Sequence, residues 1–109
     1  EGGVIAPGVN LSIKNLSQAT ALLPLINLKS NQKSYGKNTI EALNAGFVWG
    51  YEGLINNIID KIISKSKIKY KILITGGYAN FFKRMIKKKA VIDQDITIKG
   101  IANAYKELI

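Results

Sequence analysis

The sequence predicts an α/β domain, and three observations carry that expectation. Apolar periodicity and turn residues read, in order, as strand, helices, strand, helix, strand and helix. Lys71-Ile72-Leu73-Ile74-Thr75 is an apolar run fit for burial in a sheet, and it ends at Gly76-Gly77 before a helical pattern begins. The third is a single long helix, about residues 38–64, around which the other elements are arranged.

Taken in order, residues 2–6 (GGVIA) read as a short strand stopped by Pro7-Gly8. A strand so placed is expected to have its hairpin partner upstream. From Val9 the apolar positions Leu11, Ile13, Leu16, Ala19, Leu22 and Leu23 predict a helix that Pro24 ends. Residues 25–28 are a short extended piece, and the polar stretch KSNQKSYGK reads as an exposed loop. The long helix follows. Asn38 is a good N-cap, and Glu41 three positions later completes a capping-box pattern. Ile40, Leu43, Phe47, Tyr51, Leu54, Ile58 and Ile62 recur at helical spacing as its expected apolar stripe. Such a helix is roughly 40 Å long.

Ala42, Gly46 and Gly50 lie four apart on that helix, with Gly53 beside them. Each glycine costs about 1 kcal/mol against alanine in a helix interior. Close packing by another helix, or by the same helix of a second subunit, explains them better than a bend near Gly50 and Gly53. Beyond a basic turn and the 71–75 strand, residues 78–89 read as a helix with Phe81, Phe82, Met85 and Ile86 on its apolar side. Val91 and Ile92 form another short strand, Asp93-Gln94-Asp95 a turn, and residues 97–108 a last helix capped by Asp95 or Thr97.

Composition narrows the chemistry. The 109 residues are one domain's worth, and 47% of them are hydrophobic, enough for a modest core. The chain has no cysteine and no histidine, which removes disulfides, thiolate zinc sites, thiol nucleophiles and the commonest general base. No apolar run has the length that spans a bilayer, and no signal peptide opens the chain, so a cytoplasmic protein is expected. The opening Glu1-Gly2-Gly3, with Met85 the sole methionine, predicts a piece of a longer protein.

The net charge of +9 falls entirely in residues 61–109, which suggests an anionic partner. Against nucleic acid, fifteen lysines accompany a single arginine, the better planar reader of phosphate and bases. Lys83, Arg84, Lys87, Lys88 and Lys89 cluster, but the helical pattern sends their aromatic neighbours Phe81 and Phe82 to the core.

Two sites are candidates for ligand contact. Gly36-Lys37-Asn38-Thr39 stands at the amino end of the long helix, where a hydroxyl and free backbone amides could meet a carboxylate or hydroxyl group. Ile74-Thr75-Gly76-Gly77-Tyr78-Ala79 runs from strand through a glycine pair to helix, a junction that lets amides approach a phosphate. Alone, each is equally an ordinary capped helix or tight turn.

Together they are more specific. Gly2-Gly3-Val4-Ile5-Ala6-Pro7-Gly8 is followed by Ala21-Leu22-Leu23-Pro24, then Gly36-x-Asn38-Thr39 with Ala42, Gly46 and Gly50-Tyr51. Thr75-Gly76-Gly77 and Asp93-x-Asp95-x-Thr97-x-x-Gly100 close the series. In that order and spacing the chain resembles the carboxy-terminal half of type III pantothenate kinases. The resemblance implies one ribonuclease H-like domain, residues 1–109, of the acetate kinase, sugar kinase, Hsp70 and actin superfamily. It implies transfer of the γ-phosphoryl group of ATP to pantothenate, the first step towards coenzyme A, with magnesium and a monovalent cation (potassium or ammonium). It implies a homodimer through the long helix, with pantothenate near the subunit interface. On this resemblance Thr39 contacts pantothenate, Gly3 and Ile5 line its pocket, and Gly76 and Gly77 face the adenosine side of ATP.

The family's phosphate loop, its Gly-x-Asp-Arg motif with the catalytic aspartate, and its Asp-x-Gly-Thr motif are not in this sequence. No catalytic residue and no metal ligand is therefore assigned here, and the chain alone is expected to be inactive. Gln94 stands where a proline is common in the family, and a looser turn is expected there. The same family includes accessory transcription factors of the Bvg type. Nucleic-acid binding through the basic second half, or a purely dimerising role, is thus the alternative.

Overall fold

The computed structural model describes residues 2–19 and 25–96. Its elements are α1 (Val9–Ala19), α2 (Thr39–Ser66), β1 (Ile72–Ile74), α3 (Ala79–Lys83) and β2 (Ala90–Ile92). They fall in two compact units, Glu1–Ile59 and Asp60–Ile109, with the division inside α2. The expected helix over residues 97–108 and the Leu22-Leu23-Pro24 stop of the first helix lie outside the described residues.

In the first unit, α1 begins where the Gly8 carbonyl accepts the Ser12 N–H at 3.0 Å. Val9 and Ile13, one turn apart, are its buried residues, while Leu11 is exposed. The expected strand over residues 2–6 does not form. A strand needs a ladder partner for its backbone groups, and among the described residues β1 and β2 pair only with each other.

The start of α2 follows its capping chemistry. Asn38 Oδ1 accepts the Glu41 N–H at 2.9 Å, and the Asn38 carbonyl accepts the first helical bond from Ala42 at 2.9 Å. Glu41 Oε2 accepts the Lys37 N–H at 3.0 Å, one residue before the cap, so the box closes on the entering loop.

The buried face of α2 is not the stripe that periodicity selects. Asn44, Ala45, Val48 and Asn56 are buried, whereas Ile40 and Ile62 are exposed and Leu43, Phe47, Tyr51 and Leu54 half-buried. The helix is apolar on two faces, and only one of them turns inward.

Asn44 explains why that face is chosen. Its Oδ1 accepts the Lys29 N–H at 2.8 Å, and its Nδ2 donates to the Lys29 carbonyl at 2.9 Å and to Gln32 Oε1 at 2.8 Å. One carboxamide thus satisfies both peptide groups of Lys29, as a neighbouring strand would. It ties the loop before α2 to the second turn of the helix.

In the second unit, β1 and β2 are parallel, with Ile72, Leu73 and Ile74 opposite Ala90, Val91 and Ile92. The crossover between them carries α3, whose Ala79 and Phe82 are buried together with Met85 and Ala90. Tyr78, Phe81 and Phe82 form an aromatic cluster with centroids 5.1–6.0 Å apart. The helix expected over 78–89 stops at Lys83, because the Phe82 carbonyl takes the Met85 N–H in a tighter turn and the chain must return to β2. At the end of α2, Lys67 adopts the left-handed conformation (φ 57°) usual for a helix-terminating residue.

Replacing Asn44 with alanine leaves both Lys29 peptide groups without their partner. The expected cost is about 2 kcal/mol, measured as a lower midpoint in urea unfolding followed by circular dichroism.

Candidate functional site

The amino end of α2 is built to present open donors. Thr39 is the first helical residue and is exposed, and a shallow depression is lined by Asn38, Thr39, Ile40 and Glu41. The first four N–H groups of a helix lack intrahelical partners. One of them, Glu41's, is taken by the Asn38 side chain. Those of Thr39 and Ile40 have no partner among the described residues. They and the Thr39 hydroxyl form a small polar surface suited to an oxygen-bearing ligand.

Gly36 makes that geometry possible. A Cβ on it would collide with the backbone of Glu41 and Ala42, the latter's Cα lying 2.6 Å from the added atom. The loop therefore presses directly on the first helical turn, and only glycine permits the approach.

Gly3 and Ile5 lie in an exposed segment without regular structure, Ile5 being 99% exposed. That segment is anchored at Pro7, whose carbonyl accepts the Tyr51 hydroxyl at 3.0 Å; Ser12 Oγ lies 2.8 Å from the same hydroxyl. With Tyr51's proton committed to Pro7, Ser12 is the donor in the second bond. Tyr51 is about 18 Å along α2 from Thr39, so the described anchor holds Pro7 at mid-helix rather than at the amino end.

Ala42, Gly46 and Gly50 share an open apolar groove of about 470 Å³ with Leu43, Phe47 and Leu54. Side chains added at Gly46, Gly50 or Gly53 would meet nothing within 4 Å. Pro7 and, from α1, Ser12 and Leu16 also line this groove, which stays open above the glycines among the described residues.

In the second unit, Gly76 and Gly77 form an exposed turn directly after β1, and Gly76 has a φ of +105° that a side chain would strain. The Gln94 side chain closes on it: Oε1 accepts the Gly76 N–H at 3.1 Å and Nε2 donates to the Gly76 carbonyl at 3.0 Å. The expectation at Gln94 was of a looser turn and did not include this tie. The carboxamide ties the turn to the loop after β1.

A second groove, about 840 Å³, is lined by Lys67, Lys69, Lys71, Lys88 and Lys89 around Tyr70. Helical periodicity could not reveal this aromatic among lysines, because Tyr70 belongs to the extended segment after α2. No arginine lines the groove.

Three of the described carboxylates are engaged within the chain. Glu41 accepts a loop amide, Asp60 lies 3.9 Å from Lys88, and Asp93 accepts the Asp95 N–H. No group of three or more potential ligands gathers among the described residues.

The family model for type III pantothenate kinase matches residues 1–61. The chain is 52% identical over 103 residues to the type III pantothenate kinase of Pelagibacter ubique (strain HTCC1062), covering 94% of this chain and 42% of that protein. It is 37% identical over 105 residues to that of Ruegeria sp. (strain TM1040), covering 96% and 40%, and 38% identical over 106 residues to that of Phenylobacterium zucineum (strain HLK1), covering 97% and 41%. The chain belongs to the type III pantothenate kinase family. It spans about 40% of the length of these relatives.

That family lies in the actin-like superfamily, and an α/β chain with a small parallel sheet agrees with it. No described helix is long and apolar enough to cross a membrane. Asn44, Tyr51 and Gln94 are structural anchors of the candidate surfaces that motif reading assigned no contacts. Asn44 had one sequence signal, an amide side chain between Leu43 and Ala45 and one turn from Val48.

Substituting Gly36 with alanine should displace the loop from the first turn of α2 at a cost of about 2 kcal/mol. A lowered melting temperature, with the Glu41 amide losing protection in hydrogen exchange, checks it.

Proposed function

We propose that this chain is the carboxy-terminal half of an ATP-dependent pantothenate kinase and supplies the substrate side of its site. The observation that carries this is similarity across nearly the whole chain to relatives named type III pantothenate kinase. The open donors at the amino end of α2 add a physical basis. In this proposal Thr39 donates or accepts a hydrogen bond to pantothenate, and the Thr39 and Ile40 amides favour its carboxylate or hydroxyl oxygens. Gly3 and Ile5 line the pocket, and the Gly76–Gly77 turn faces the adenosine side of ATP.

Residues 1–109 would then form one of the two ribonuclease H-like halves. Parallel sheets occur with both faces covered, yet Leu73 and Val91, paired across β1 and β2, are 42% and 41% exposed. That open face among the described residues supports the reading, and the relatives are more than twice as long. The groove along Ala42, Gly46 and Gly50 fits the same helix of a second subunit, which supports a homodimer.

Phosphoryl transfer depends on positioning and on charge stabilisation by metal and phosphate-binding groups. When bound, magnesium would neutralise phosphate charge. This chain's contribution is to hold pantothenate and the nucleotide base side, while the catalytic carboxylate and metal ligands belong to the upstream half.

Two outcomes follow. In a coupled assay with ATP and pantothenate, the 109-residue chain alone turns over nothing; robust turnover would contradict the division of labour. In the full-length protein, Thr39→Val raises the KM for pantothenate about tenfold and leaves the KM for ATP unchanged.

A further inference from the structure

Because β1 and β2 are parallel and in register, the loops that leave their carboxyl ends lie side by side. The ladder continues one step past the strands, with the Asp93 N–H donating to the Ile74 carbonyl at 2.9 Å. Gln94 is the next residue, and its two bonds to Gly76 reach across from one loop to the other. A primary amide that meets the N–H and the carbonyl of one residue fixes the peptide planes on either side of it. Gly76 needs such fixing, since glycine at φ +105° is otherwise free to take many conformations. Its carbonyl also accepts the Ala79 N–H at 3.2 Å, which joins the turn to α3.

This arrangement divides the work of the two glycines. The Gly76 N–H is occupied by Gln94 and is not offered to a ligand. The Gly77 N–H has no partner among the described residues and lies on the exposed turn. The geometry points to Gln94 as a positioning residue of the nucleotide site: by clamping Gly76 it holds the Gly77 amide ready to donate to an oxygen or ring nitrogen on the adenosine side of ATP. The assignment rests on the proposal that this turn faces ATP. Gln94 touches no reacting atom, and proline, common here in the family, has no side-chain amide with which to make either bond.

The test uses the full-length protein with Gln94→Ala and Gln94→Glu. Alanine removes both bonds. Glutamate keeps an acceptor for the Gly76 N–H but sets a carboxylate against the Gly76 carbonyl, so the second bond is replaced by repulsion between two oxygens. Both variants should raise the KM for ATP, about fivefold for alanine and more for glutamate, with the KM for pantothenate and kcat unchanged. Titration with a non-hydrolysable ATP analogue should show the same loss of affinity while the melting temperature stays within a degree or two. An unchanged ATP affinity in both variants, or equal rises in both KM values, would overturn the assignment. Absence of kinase turnover in the unsubstituted protein would instead count against the functional proposal, and the analogue titration would then decide the role of Gln94 alone.

Discussion

The carboxamide of Asn44 holds the first unit's candidate surface in place, because the loop it grips is the loop that presents the amino end of α2. Lys29 and Gln32 are fastened to the second turn of the helix, and five residues separate Gln32 from Asn38. That short span must then bring Gly36 against the first turn, Lys37 within reach of Glu41, and Asn38 into its capping position. Each of these contacts leaves the Thr39 and Ile40 amides facing outward. A buried amide with both donors and its oxygen engaged is worth more as a constraint than as a source of stability, since its partners have no alternative that avoids desolvation.

The second unit repeats the device at a different place. Gln94 grips Gly76 as Asn44 grips Lys29, in each case one side-chain amide meeting both peptide groups of a loop residue. Both amides stand next to a surface with open backbone donors. The rest of the molecule looks like one part of a larger construction. Among the described residues few apolar side chains are buried, and sizeable ones remain on the surface of both units, among them Trp49, Leu73 and Val91. Covering them falls to the remaining 60% or so of the parent chain and to a second copy, on the proposal made above.

Much of the fold was legible in the residues. The Asn38–Glu41 pair located the start of α2 to within a residue, and the Ile72–Ile74 run and the Val91–Ile92 pair emerged as strands. Periodicity failed on α2 because the helix is apolar on two faces, and counting apolar residues selects the richer stripe instead of the buried one. A polar residue, Asn44, decided which face turned inward. The strand expected over residues 2–6 was lost for a different reason: local propensity supplies no ladder partner. Of the proposed site, Thr39 and the glycine pair were singled out through motif order, whereas the Gln94 clamp was invisible because it joins residues eighteen apart through the register of two strands.

The most direct test of the substrate-side surface is the backbone amide spectrum of the full-length protein during titration with pantothenate. The amides of Thr39 and Ile40 should shift first and saturably, with Glu41, whose N–H is held by Asn38, moving less. Saturable shifts that leave Thr39 and Ile40 unmoved would contradict the placement of the substrate at the amino end of α2.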